Sequence, residues 1–112
     1  MKLGPLQKKW VAALRSGDYH QGRKGYLLHS GSFCCLGVAA VAVLNKKPKG
    51  NWIDGSLTWL ADYKSMGLRS ETGSAKGNPE NDLATLNDGD ATFPEIAELL
   101  ESQPELYFTR SV

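Results

Sequence analysis

The sequence has no stretch of apolar residues long enough to cross a membrane. Its longest, FCCLGVAAVAVL at Phe33–Leu44, is twelve residues and includes Gly37, whereas a helical span needs about 20. The opening segment MKLGPLQKKW lacks the continuous apolar stretch of a signal peptide. Cysteine is scarce: only Cys34 and Cys35 occur, and they are adjacent. Neighbouring cysteines meet disulfide geometry only with strain, so reduced thiols and a cytoplasmic location are expected. There is no CxxC, no Cys/His cluster and no zinc spacing, which leaves no structural metal or cofactor to expect. Asp88, Asp90 and Glu95 do not make a calcium loop, because an EF-hand requires a glycine at its sixth position and a terminal glutamate. No Walker loop occurs either.

Acids are nearly absent from the first half. Residues 1–50 hold nine Lys/Arg against Asp18 alone, net +8; residues 51–112 hold four against eleven acids, net −7. The overall charge of +1 hides this split. It can steer an anionic ligand to one face or drive head-to-tail association. It can equally cancel, if the two halves face each other in the fold.

What is present reads as one domain over residues 1–112, with 41% hydrophobic and 22% charged residues. Pro5 suits a first helical turn, and Leu6, Trp10, Ala13 and Leu14 recur at helical spacing before Gly17, a left-handed cap. Gln21–Gly25 reads as a tight basic loop and Gly25–His29 as a strand. Ser32 is the expected cap of a central helix from about 34 to 44. That helix is apolar on all sides and must be surrounded by protein. A further helix is expected over Leu57–Met66, capped by Ser56 and stopped by Gly67. Arg69–Glu80 carries no large apolar side chain and reads as a mobile loop. Asp82–Leu86 is one or two helical turns, and Asn87–Asp90 a turn. Thr92 and Glu95 frame a capping box around Pro94, with Phe93, Ile96, Ala97 and Leu100 on the core face. The tail ELYFTRSV adds a short strand or packs as an apolar strap. The expected fold is α+β and mainly helical: three to four helices around the central one, with a small hairpin or short strands.

Three constellations could carry chemistry. A thiol in the first turn of a helix can have a lowered pKa, so Cys34 or Cys35 could serve a hydrolase. Its base would have to be His20 or His29, both upstream. Cysteine peptidases that open an apolar helix with cysteine take their histidine from downstream, so packing is the favoured role of the pair. The second constellation is the basic, glycine-flanked segment Gln21–Gly25, whose glycines let backbone amides approach an anion. His20, Arg23, Lys24 and His29, with Lys8 and Lys9 of the first helix, form the candidate ligand site, weighed against a solvated turn. The third is a non-specific nucleic-acid surface on the basic first half. The helix after Pro94 is too acidic outside to approach phosphate.

Three segments, KWVAALRSGDY, SFCCLGVAA and LATLNDGDATFPEIAELLE, together resemble a family of small uncharacterised bacteriophage and bacterial proteins. The matching residues are Trp10, Ala13–Gly17, Tyr19, Phe33–Val38, Leu86–Asp88, Phe93 and Glu95–Ala97. The resemblance implies phage or prophage origin and transfers no catalytic residue. Small phage proteins of this size often act as accessory factors that blunt host defence. The expected function is therefore non-enzymatic binding, of an anionic nucleotide-type ligand or of a host protein, by a homo-oligomer away from membranes. The cysteine hydrolase and the nucleic-acid binder are the alternatives.

Overall fold

The computed structural model describes residues 1–23, 26–29, 31–47, 52–53, 63–78 and 80–112. Helix α1 spans Pro5–Arg15 and α2 Cys35–Ala42; α3 follows at Leu83–Asp88, α4 at Phe93–Ser102 and α5 at Pro104–Tyr107. Four short strands, β1 (His20–Gln21), β2 (Tyr26–His29), β3 (Ser32–Phe33) and β4 (Trp52–Ile53), form one sheet in the order β1-β3-β2-β4. Strands β2 and β3 make an antiparallel hairpin, and β1 runs parallel to β3. The protein is thus mainly helical α+β, as the periodicities predict.

Helix α2 sits at the centre. Cys35 through Ala40 are buried on every side, and α1, α3, β2 and β3 all pack on it. Its many small side chains let those neighbours approach closely, with one dense interior as the result. Helix α1 in turn lies between α2 and α4. Its Trp10 is fully buried; the indole N–H donates to the Cys35 carbonyl at 2.9 Å, and the ring meets Phe108 edge-on with centroids 6.1 Å apart. Truncating such an aromatic to alanine costs about 3–5 kcal/mol.

Several local expectations need correction. Ser32 belongs to β3, and the cap of α2 is Cys34, whose sulfur accepts the Gly37 N–H at 3.4 Å. The helix ends at Ala42 rather than Leu44. A wide turn follows, with Leu44 N–H bonded to Ala39 O, Lys46 N–H to Ala40 O, and Asn45 at φ 59°. Asparagine tolerates that left-handed backbone better than most residues. Gln21, expected at the start of the basic loop, is strand with His20, because their backbone finds a partner in β3. Residues 57–62 of the expected third helix, with Ser56, lie outside the described residues; Tyr63–Met66 is a 3-10 turn. Segment 69–78 is not a loose loop. Leu83 N–H donates to Gly73 O, Ala84 N–H to Thr72 O, and Ser70 bonds Ser74 through both hydroxyls. The Asp82–Leu86 helix extends to Asp88, capped by Asp82. Thr92 and Glu95 form the expected capping box. The tail is a strap: 104–107 is helical, Tyr107 and Phe108 are buried, and Phe108 makes only an isolated bridge with Leu68.

Candidate functional site

The cysteine pair lies in a sealed junction. Cys35 is completely buried, and its thiol donates weakly to Leu83 O at 3.7 Å. Burial, reinforced by Cys34, pushes that thiol well above its ordinary value, the opposite of what a nucleophile requires. Beside it, the fully buried Asn87 accepts from the Cys35 N–H at 3.1 Å and from Gln21 Nε2 at 2.9 Å, and donates to Gly22 O at 2.7 Å. Gln21 also donates to Ala91 O and accepts from Phe93 N–H. Tyr19 and Phe33 close the junction edge-on with centroids 5.3 Å apart. Here the three segments read as a family signature, around Trp10, Cys34–Cys35 and Asn87, come together. The arrangement satisfies the polar groups that meet at this edge of the core. Among the described residues, no buried side-chain nitrogen or oxygen lacks a partner.

The expected anion ligands are not gathered into one site. Lys8 and Lys9 are exposed on α1. Arg23 turns to the protein itself: its Nη1 donates to the carbonyls of Asn87 (2.8 Å), Ala91 (3.0 Å) and Gly89. These carbonyls line the α3–α4 turn, and a guanidinium serves three of them at once. Lys24 lies outside the described residues. His20 and His29 do come near each other, since β1 and β2 flank β3 and both residues pair in register with Ser32. His20 is exposed and His29 half-buried. Among the described residues, no group of three or more His, Cys, Asp or Glu could hold a metal ion.

A different basic site is present. Among the described residues, Tyr63, Lys64, Leu68, Arg69, Thr109 and Arg110 line a cavity of about 340 Å³. Three of the four cations in the acidic half of the sequence meet there, and no carboxylate is in the described lining. The two guanidinium groups donate to carbonyls, which hold them in place without cancelling charge. Arg110 Nη2 donates to Lys64 O at 2.9 Å, and Arg69 Nη2 to Glu105 O at 2.9 Å. The Glu105 carboxylate points elsewhere, accepting from the Met1 amino group at 3.2 Å.

The walls of this cavity are tied together behind it. Gln7, fully buried, donates to Met66 O at 3.1 Å and to Arg110 O at 2.8 Å, while its oxygen accepts from Gly4 N–H and Val112 N–H. Thr109 N–H donates to Gly67 O. Gly67 has φ +75°, and a Cβ there would stand 2.7 Å from Arg110 O and 2.9 Å from Gln7 Nε2. Only glycine fits that crossing. The sequence gives little sign of the pocket, because its cations are separated by up to 46 positions and sit among acids. The one available signal was that so few cations occur in that half at all.

Elsewhere the basic and acidic halves of the sequence touch. Arg15 of the basic half bonds Glu98 and Glu101 of α4, each at 3.1 Å. Thr92 N–H and hydroxyl hold the Glu95 carboxyl below its usual range, with Arg23 adding to the effect. Among the described residues, no helix is long and apolar enough to cross a membrane.

Residues 3–74 match a family model described as a domain of unknown function, DUF8296, and the chain belongs to that family. The matched stretch includes Trp10, the cysteine pair and one wall of the basic cavity; Asn87 and Arg110 lie beyond it. No curated protein and no solved structure matches the chain.

Proposed function

We propose that this protein is a non-enzymatic binder of an anionic, phosphate-bearing ligand of nucleotide type, taken up at the cavity of Tyr63, Lys64, Arg69, Thr109 and Arg110. The observation that carries the reading is the convergence of three cations of an otherwise acidic half around one cavity with no carboxylate in its described lining. Guanidinium groups fixed by carbonyls are pre-organised for phosphate, and bonds between opposite charges are the strong ones. Tyr63 offers an aromatic ring for a base to stack on. The reading keeps the accessory, anti-defence role in a phage-infected cell to which the sequence resemblance points. It moves the ligand away from Lys8, Lys9, His20, Arg23 and His29. Burial and the raised pKa of Cys35 favour packing over hydrolysis for the thiols.

Calorimetric titration with AMP, ADP and inorganic phosphate tests it. Saturable binding is expected, weakened at least about tenfold by Lys64→Ala or Arg110→Gln and unchanged by Lys8→Ala with Lys9→Ala. No binding of any of the three, or loss on changing the α1 lysines instead, sinks the reading. Affinity for a polynucleotide that falls steeply with salt would favour the nucleic-acid alternative.

A further inference from the structure

The outer side of α4 carries a groove whose floor is Ala91, Pro94 and Leu99 and whose edge is Glu95 and Glu98. An apolar floor with an anionic edge calls for an apolar knob with a cationic flank. The exposed large hydrophobic side chains among the described residues are Met1 and Leu6, at 45% and 37% exposure. Leu6 stands one helical turn from Lys9 on α1, and Met1 is followed by Lys2; both lysines are exposed. The groove keeps net negative charge, because three carboxylates, Glu95, Glu98 and Glu101, face two arginines. Arg15 is shared by Glu98 and Glu101, Arg23 acts on Glu95, and the Glu98 side chain remains 68% exposed.

We propose that the α4 groove receives the Leu6 knob of a second copy of this chain, with that copy's Lys9 against Glu95 and Glu98. A chain cannot fill its own groove. Arg15, at the far end of α1, touches Glu98, and Leu6 lies nine residues back along the same helix, about 13 Å away at 1.5 Å per residue. Knob and groove are different surfaces, so the contact is head-to-tail and either closes into a ring or extends. It uses no residue of the basic cavity and stands or falls independently of the ligand.

Sedimentation of the full chain, at concentrations up to millimolar and at low and high salt, provides the test. The wild-type chain is expected to self-associate, less so as salt rises. The knob variant Leu6→Glu/Lys9→Glu and the groove variant Glu98→Lys should each weaken association at least about tenfold. All three substitutions are at exposed positions, and circular dichroism will show whether the fold is kept. Mixing the two variants gives the sharpest readout: one brings an intact groove and the other an intact knob, so a one-to-one dimer should form. A monomeric wild type at millimolar concentration overturns the proposal. So does association that survives both variants, or a mixture that stays monomeric.

Discussion

Two buried carboxamides, Gln7 and Asn87, are the polar side chains in the core of the described structure, and they do different work. Asn87 joins two segments near each other in sequence, Gln21–Gly22 and Cys35, to the end of α3. Gln7 joins four points scattered along the chain, at Gly4, Met66, Arg110 and Val112. One closes the junction under the cysteine pair. The other closes the whole fold, and two of its four partners belong to strands of chain that wall the basic cavity. A neutral group with two donors and two acceptors suits both places, since a charge at zero exposure would have to be paired. Function is better sought at the second place: the Asn87 junction closes on itself, whereas the Gln7 closure supports a basic cavity with no carboxylate in its described lining.

The largest expected effects come from removing either hub. Asn87→Ala strands the buried Cys35 N–H and deprives the part-buried Gly22 O of its donor, and Gln7→Ala strands donors and acceptors of four residues. Each should cost about 2–4 kcal/mol in denaturant unfolding. Amide exchange separates them: Asn87→Ala should speed exchange at Cys35, Gln7→Ala at Gly4. Because the hubs share no partner, the double variant should be additive within about 0.5 kcal/mol. Strong coupling would show that the two junctions are one unit.

The next effect divides the hubs by function. If Gln7 positions the Arg110 and Met66 segments, Gln7→Ala should weaken nucleotide binding several-fold under conditions where the folded state is fully populated. Asn87→Ala, of similar stability, should leave affinity unchanged. Equal losses in the two variants would mean that affinity merely follows stability.

The Cys35 thiol supplies a smaller, pH-dependent effect. Its proton is held more tightly in the folded chain than in the unfolded one, whose thiol titrates near the ordinary 9.0. Below that pH both states keep the proton, and the thiol's contribution is constant. Above it the unfolded state ionises first, so stability falls as pH rises, by up to about 1.4 kcal/mol per unit for one group. Burial raises Tyr107 in the same direction. Cys35→Ala should remove the thiol's share of the slope, and alkylation of native protein should be slow. An unaltered slope in that variant would place the alkaline transition elsewhere.

Much of the fold could be read where local chemistry decides. Thr92, Pro94 and Glu95 state a helix start in the sequence and make one in space. Trp10 declares the buried face of α1 by its spacing. The apolar run at 33–44 could only be central. What could not be read depends on partners remote in sequence. Arg23 looks like an anion ligand beside two glycines, yet its acceptors are carbonyls of residues 87–91, which no side-chain pattern displays. Asn87 reads as a turn residue, and the spacing of apolar residues along α1 does not single out Gln7. Both are core, because a carboxamide can be buried wherever backbone groups need closing. The basic cavity is hidden for the same reason, since Lys64 and Arg110 become neighbours through backbone contacts at Gly67 and Gln7 that no side-chain pattern displays.

The smallest effect concerns the ion pairs across the two halves. Arg15 with Glu98 and Glu101 is the clearest contact between the basic and acidic parts of the sequence, with side-chain exposures of 38%, 68% and 54%. Exposed pairs gain little, because water screens the charges and ordering long side chains costs entropy. Arg15→Ala should therefore leave the unfolding midpoint within error at any salt concentration, whereas either hub variant moves it plainly. A drop of several degrees on losing Arg15, deepening at low salt, would mean that the opposed charges of the halves hold α1 on α4. The weight would then shift from the two carboxamides to the ion pairs. If it does not drop, the split in charge matters for what the surfaces meet and not for how the chain folds.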